Sequence, residues 1–229
     1  MTKILLILMS LISATAIANT EIISSPVKQL FIPTGFDNND NVEIIVSGDF
    51  PDSCHSRNKY EVKVNEDKIN ILITALLSTD TSNCEVMSIP YLEDVTIGSL
   101  QAGEYAVTVN NKLTGEIHIT EATSSSVDDH LYAMVDYIDL GFTGGINGQF
   151  FLVGRTLDCL ALDKVKVISN GKDTLSVLPI MKRESTECNN RRTHFSIPVT
   201  FDMRNFDSNN VLLFVRTMDG KSVHTLVEK

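Results

Sequence analysis

The positions of the four cysteines place the strongest constraint on how this chain folds. Cys54 and Cys84 lie 30 residues apart, Cys159 and Cys188 lie 29 apart, and 75 residues separate the two pairs. In an exported chain an even number of cysteines favours disulfides, and four cysteines allow three pairings. The similar spacing within each pair predicts the links Cys54–Cys84 and Cys159–Cys188.

The residues around these cysteines also repeat. Positions of the first half recur 104 to 106 residues later and in the same order. Besides the cysteines, the matching pairs include Gly35 and Gly141, Gly48 and Gly154, and His118 and His224. Self-similarity at a nearly constant offset indicates a tandem duplication. We therefore expect two copies of one disulfide-linked unit.

Two other uses of Cys54 stay open from the sequence. A catalytic thiol needs a nearby base, and the adjacent His55 would point to the opposite face of a strand. A zinc site needs closely spaced ligand pairs such as C-x2-C, and the sequence has none. A disulfide that closes a loop of about 30 residues fits better, and it stabilises the folded state by roughly 3–4 kcal/mol.

Most of the chain carries the alternating pattern of half-buried strands. In "KYEVKVNE" (59–66) and "KINILITALL" (68–77) apolar residues occupy every second position. Turn-forming stretches separate such runs, for example at 65–67, 110–115 and 169–173. The segment "DDHLYAMVDYIDL" (128–140) continues the repeat and reads as a strand. The pattern predicts an all-β chain of two tandem antiparallel β-sandwich domains, each with one intradomain disulfide.

Two stretches of the first half carry a resemblance to a broad class of domains. They are "GDFPDSC" (48–54) and "IGSLQAGEYAVTVN" (97–110), in which Gly103 precedes the aromatic residue Tyr105. Each half resembles the immunoglobulin-like sandwich modules of bacterial exported proteins, which implies that fold. The chain has no Trp, and its paired cysteines lie closer in sequence than those of antibody domains. The resemblance therefore transfers no binding residue.

The first 20 residues have the parts of an export signal. Lys3 precedes an apolar run at 4–12, and Ala16-Ile17-Ala18 fits the small-x-small pattern before a cleavage site. We expect a signal peptide over 1–18, with a retained N-terminal anchor as the alternative. No later run approaches the ~20 apolar residues that a membrane-spanning helix needs. The prediction is a secreted or periplasmic protein without a membrane span after signal removal.

A polar, serine-rich stretch separates the two halves. "ITEATSSSVDD" occupies residues 119–129 and has the composition of a linker. The predicted organisation is a first β-sandwich domain over 19–122, a linker over 123–129 and a second β-sandwich domain over 130–229.

Charge and motifs exclude several classes of function. The net charge is −10, and an acidic chain repels the phosphate backbone, so we expect no nucleic-acid partner. The sequence contains no P-loop, G-x-G-x-x-G, G-x-S-x-G or H-E-x-x-H motif. We predict a protein that is not an enzyme and that needs no cofactor.

One stretch of this acidic chain is locally basic. "MKRESTECNNRRTH" (181–194) contains Lys182, Arg183, Arg191 and Arg192, and Cys188 lies between the two basic pairs. A disulfide at Cys188 would tether the loop, and arginine side chains bind carboxylates and phosphates through paired hydrogen bonds. These four residues are the predicted partner-binding residues, because binding groups concentrate on loops held by rigid scaffolds.

Two acidic stretches contain residues of the kind that bind metal ions. "FDNNDNVE" (36–43) places oxygen ligands at alternate positions, but the glycine and the twelfth-position acid of an EF-hand are missing. A weak calcium site near Asp37 stays open. "DDH" (128–130) lies in the predicted linker. We therefore predict no metal site.

The leading hypothesis is a non-enzymatic exported module of a bacterial cell envelope or surface assembly. Such a module would bind a protein or surface ligand through loops or a sheet edge. One alternative is an adhesin-like or pilus-associated structural subunit. The other is a metal-dependent binder or an unfamiliar enzyme at the domain junction.

Overall fold

The computed structural model describes residues 20–80, 82–123, 131–141, 148–189 and 191–229. The predicted signal peptide, the predicted linker except Thr123, and the "DDH" stretch lie outside these residues. The described part of the chain contains no helix that could serve as a membrane span.

The described residues of the first half form nine strands. They are β1 (Thr20–Ser24), β2 (Gln29–Phe31), β3 (Phe36–Asp37), β4 (Val42–Asp52), β5 (His55–Asn65), β6 (Lys68–Ser78), β7 (Val86–Gly98), β8 (Gly103–Val109) and β9 (Leu113–Thr120). The described part of the second half adds eight. These are β10 (Leu131–Tyr132), β11 (Met134–Asp139), β12 (Gln149–Leu157), β13 (Leu160–Ser169), β14 (Thr174–Arg183), β15 (Arg192–Thr200), β16 (Asn210–Thr217) and β17 (Lys221–Glu228).

Each half folds into two facing sheets. In the first half a large sheet contains β1, β5, β6, β8, β9 and β3, and a small sheet has the order β2-β4-β7. In the second half the large sheet contains β10, β13, β14, β16 and β17, and the small sheet has the order β11-β12-β15. The pairing is antiparallel except for short parallel pairs, including β6–β8 and β14–β16. The predicted all-β fold of two tandem sandwiches is confirmed.

The two halves share their strand connections, as expected of a duplication. Antiparallel β1–β6 corresponds to β10–β14, and parallel β6–β8 corresponds to β14–β16. The correspondence between the two halves ends at the last hairpin. The pairing of β8 with β9 ends at Val109–Leu113, whereas β16 and β17 stay paired beyond the equivalent position, Val215, as far as Thr217–Lys221. His118 pairs with Glu104 and His224 with Phe214. The predicted equivalence of the two histidines is therefore wrong.

The repeated glycines have a shared structural role. A Cβ atom on Gly48 would collide with the backbone oxygen of Pro26, and one on Gly154 with that of Met134. In each half, the chain that leads into the sandwich crosses β4 or β12 at this point. Glycine is needed because no side chain fits under that crossing.

Alternation places one face of each strand in a core. Ile69, Ile71 and Ile73 on β6 are at most 3 % exposed, and they share a buried cluster with Ile44 and Val46 on β4. A second cluster lies between β12 and the strands β14 and β16. Burial of such side chains contributes about 1.5–3 kcal/mol each, so every sandwich has its own apolar core.

The sandwiches also pack against each other through β16. Val211, Leu213 and Val215 face the core of their own sandwich. Leu212 and Phe214 point the other way and join the buried cluster of the first sandwich, where Phe214 meets Phe36 edge to face at 6.2 Å. Because both faces are covered, β16 has no exposed residue after Asn210.

This contact joins the small sheet of the first sandwich to the large sheet of the second. Glu43 on β4 accepts a hydrogen bond from Ser222 on β17 at 2.6 Å, and Asp94 on β7 lies 3.1 Å from His224. Gln29 on β2 donates to Asp173 at 3.3 Å. The four sheets therefore stack in the order large, small, large, small along the chain.

A buried ion pair lies within the same contact. Arg216 on β16 donates to both carboxylate oxygens of Asp40, and both residues are almost fully buried. The guanidinium also donates to the backbone oxygen of Gly35 at 3.2 Å and lies over the rings of Phe36 and Tyr132. Every part of the Arg216 head group is thus surrounded by protein.

Replacing Asp40 with Asn should lower the free energy of unfolding by about 3–5 kcal/mol, because the Arg216 charge would stay buried without its partner. Urea unfolding measures the change. Asp136→Asn is the matched control, since it breaks an exposed Arg–Asp pair and should have a much smaller effect. Equal effects of the two substitutions would contradict the proposed role of the buried pair.

Candidate functional site

The two disulfides tie together equivalent loops in the two sandwiches. Cys54, in the turn between β4 and β5, bonds to Cys84 in the β6–β7 loop, and Cys159 bonds to Cys188 in the same way. These are the pairings that the spacing predicts. A thiolate is therefore not available for catalysis or metal binding at any of the four. Two disulfides also indicate a non-cytoplasmic protein.

Asp52 and His55 shape the turn at the first disulfide. The carboxylate of Asp52 accepts a hydrogen bond from the backbone N–H of Cys54 at 2.9 Å and lies 2.7 Å from the His55 ring. The hydrogen bond with His55 makes the largest contribution to the lowered pKa of Asp52. The group Asp52, Cys54 and Cys84 is compact enough for a metal, but its sulfurs are bonded to each other. Its role is structural.

The predicted basic residues flank the second disulfide and are all exposed. Lys182 and Arg183 end β14, while Arg191 and Arg192 lead into β15. Backbone hydrogen bonds tie both ends of this loop to the β12–β13 turn. The Glu184 N–H donates to the backbone oxygen of Cys159 at 2.9 Å, and the Asp158 N–H donates to the backbone oxygen of Arg191 at 3.3 Å. The loop is therefore held at both ends.

The structure divides the four predicted residues. Lys182 lies 3.8 Å from Glu184, and Arg183 donates toward the Cys188 sulfur at 3.8 Å. Arg192 instead begins β15, two residues before His194 on the same face of the strand. His194 pairs across the sheet with Arg155 of β12. Arg155, Arg192 and His194 form what we call the basic cluster.

Asp136 on β11 borders the basic cluster. Arg155 donates two hydrogen bonds to its carboxylate, at 3.0 and 2.9 Å. These bonds are the main cause that lowers the pKa of Asp136, and the nearby charges of His194 and Arg192 lower it further. Asp136 neutralises one arginine and fixes its position, so the cluster keeps a positive excess.

Two members of the basic cluster, Arg155 and His194, were not among the predicted residues. Arg155 lies 37 residues before Arg192 in the sequence, and only the register of β12 against β15 brings the two together. Two other strands, β13 and β14, lie between β12 and β15 along the chain, so no local pattern in the sequence pairs His194 with Arg155.

The space behind the cluster is small. Arg155 and Arg192 border a cavity of about 10 Å³ whose other walls include Met134, Met181 and Met218. That volume has room for about one water molecule. The basic cluster is therefore accessible only from the protein surface.

The acidic stretch at 36–43 serves the contact between the sandwiches. The carboxylate of Asp40 accepts hydrogen bonds from the guanidinium of Arg216 and, at 2.8 Å, from the backbone N–H of Asp37. Asp37 accepts a hydrogen bond from Asn39 N–H at 3.3 Å. These contacts give Asp40 a role between the sandwiches and Asp37 a role within its own loop.

One comparison matches part of the first half of the chain. Residues 44–119, from β4 to β9, match a family model described as the ORF11 beta-sandwich domain. No curated protein and no solved structure matches the chain. The family description agrees with the sandwich fold of the first half and states no activity.

If Arg155 holds Asp136 as described, Arg155→Met should raise the pKa of Asp136 toward its ordinary value of 3.8. Carboxyl NMR titration measures this shift. Asp202 is the internal control: Arg204 holds its pKa at about 2, and that value should not move. Because folding lowers the pKa of Asp136, its stabilising effect is present above the unfolded pKa and is lost as the pH falls through the folded value.

Proposed function

We propose that this protein is a non-enzymatic, exported binding module of a bacterial envelope or surface assembly, and that it recognises an anionic partner. The observation that carries the proposal is the basic surface beside the second disulfide. It contains the basic cluster together with Lys182, Arg183 and Arg191, in a chain whose net charge is −10.

The geometry of this surface supports recognition of carboxylates or phosphates. Arg155 and Arg192 lie on neighbouring strands, and guanidinium groups form paired, directional hydrogen bonds to such oxygens. Asp136 already accepts from Nε and Nη2 of Arg155, so Arg192 supplies the paired contact and Arg155 adds its remaining N–H groups. Strands and a disulfide position the arginines, which reduces the entropy lost on binding. The acidic remainder of the molecule repels an anionic partner, so contact is favoured only at this surface.

The stacked sandwiches support a role as a rigid scaffold. Arg216 and Asp40 hold the two sheets in one orientation, and the binding surface lies at the far end of the stack. Asp136, the carboxylate that borders the basic cluster, has its partner within the protein in Arg155. This arrangement favours a binding role over an acid–base catalyst.

The double variant Arg155→Gln, Arg192→Gln should bind an anionic polymer at least about tenfold more weakly than the unchanged protein. Poly-L-glutamate and inorganic polyphosphate are the probes, and fluorescence anisotropy at two salt concentrations gives the affinities. Salt should weaken binding, because the contacts are exposed.

Arg204→Gln is the matched control for this experiment. Arg204 is an 86 % exposed arginine of the same sandwich that also forms a paired contact with an aspartate, Asp202. Its replacement should leave binding unchanged. Equal losses in control and double variant, or no binding of either polymer, would contradict the proposed site.

Export is tested separately by the N-terminus of the mature protein. When the full chain is produced in a bacterial host, mass spectrometry of the protein outside the cytoplasm should find Asn19 as the first residue. Ala18→Arg should block this cleavage, because a small residue is needed there. An uncleaved chain in the unchanged protein would contradict the proposed signal peptide.

A further inference from the structure

The first sandwich is bridged along the side where β5 and β7 are its edge strands. The backbone N–H of Thr96 on β7 donates to the Tyr60 hydroxyl on β5 at 3.3 Å. Arg57 on β5 lies 3.8 Å from Glu93 on β7. These two polar contacts join the edge of the large sheet to the edge of the small sheet.

The second sandwich has lost both bridges on the equivalent side. Its strand β11 contacts β16 and β17, so β15 lies over the other edge strand, β13. Strand register places Leu162 and Ile197 at the positions of the charged pair, and Val165 at the position of the tyrosine. None of these three side chains can form a hydrogen bond or an ion pair.

Apolar side chains are partly exposed along this side. Leu162 and Val167 are 39 % and 40 % exposed, and Val165 and Ile197 lie at the margin of the apolar core. We call these four residues the apolar rim. A segment that lies along β13 would remove the rim from water.

The backbone of β13 can pair with such a segment. The oxygen of Pro179 accepts a hydrogen bond from the Ala133 N–H at 2.9 Å, so the backbone of Pro179 points toward β10. Its cross-strand neighbour Val165 therefore points its backbone groups away from β14, and alternation turns Val167 the same way. Among the described strands, β13 pairs with β14 alone.

The neighbouring edge strand β15 is less suited to strand addition. The Phe201 N–H donates to the backbone oxygen of Gly148, and alternation from this bonded pair turns Pro198 away from β12. A proline has no N–H to offer an added strand, and proline protects natural sheet edges in this way. No proline interrupts β13.

Two lysines determine the charge that a partner of β13 needs. Lys164 and Lys166 are exposed and lie on the face of β13 opposite to the apolar rim. Acidic residues of an added strand would pair with them across the new ladder, whereas two copies of β13 would set lysine beside lysine. Because apolar and basic residues alternate along β13, the complementary strand alternates apolar and acidic residues.

We propose that β13 is a docking edge for an extended segment of a partner protein in which apolar and acidic residues alternate. The backbone of this segment pairs with Val165 and Val167. Its apolar side chains cover the apolar rim, and its acidic side chains lie beside Lys164 and Lys166. The docking edge is separate from the basic cluster, which lies on the outer face of the small sheet.

A fluorescent peptide of about eight residues, within the usual length of a strand, that alternates valine and glutamate tests the docking edge. Anisotropy gives its affinity, and NMR hydrogen exchange should show new protection of the Val165 and Val167 N–H groups. Val167→Pro should weaken binding about tenfold or more, because it removes an outward N–H without removing a bond to β14. Val62→Pro, at the equivalent position of β5, is the matched control and should leave binding unchanged.

Charge reversal gives a second measurement that does not depend on proline. Lys164→Glu together with Lys166→Glu should weaken binding of this peptide and should favour one that alternates valine and lysine. The double variant Arg155→Gln, Arg192→Gln should still bind the valine–glutamate peptide. Four outcomes would overturn the docking edge: no binding, equal losses in the two proline variants, loss only in the arginine variant, or protection of Val165 that rises with protein concentration without peptide.

Discussion

The contact between β16 and the first sandwich determines the arrangement of the whole molecule. Leu212 and Phe214 enter the apolar cluster of one sandwich while their neighbours on the strand fill the other. The Arg216–Asp40 pair lies in the same contact, where its charges are removed from water. Removal of these charges from water costs desolvation energy, which the hydrogen bonds between Arg216 and Asp40 offset. This contact sets the orientation in which the remaining surfaces face solvent.

The duplication produced two similar units whose outer faces differ. Both sandwiches keep their strand connections, their disulfide and the glycine under the chain crossing. Their outer faces have diverged, because each face has a different neighbour. On the outer face of the second large sheet, Leu212 and Phe214 are buried against the first sandwich, whereas Ile22 and Leu72 on the outer face of the first large sheet are exposed. The last small sheet carries the basic cluster. Divergence of exposed faces changes contacts without disturbing either core.

Local patterns were sufficient for the fold class. Alternation with a period of two predicted the strands, and the repeated cysteine spacing predicted which sulfurs bond. The match failed at His118 and His224, because the last hairpin of the second sandwich extends further than that of the first. A constant offset in sequence identifies equivalent residues only where neither half has an insertion. A longer hairpin changes which residues pair across the strands, but it leaves the alternation of apolar and polar residues unchanged.

The amino-acid sequence on its own determined the all-β class, the duplication, the disulfide pairs and the basic composition of residues 181–194. These features depend on neighbours along the chain or on a repeated spacing. The sheet stacking, the burial of Arg216 with Asp40 and the meeting of Arg155 with Arg192 and His194 were set by tertiary structure. The reason is that strand register and the packing of one sheet on another join residues far apart in the chain, and no local pattern encodes which distant face will cover a given strand.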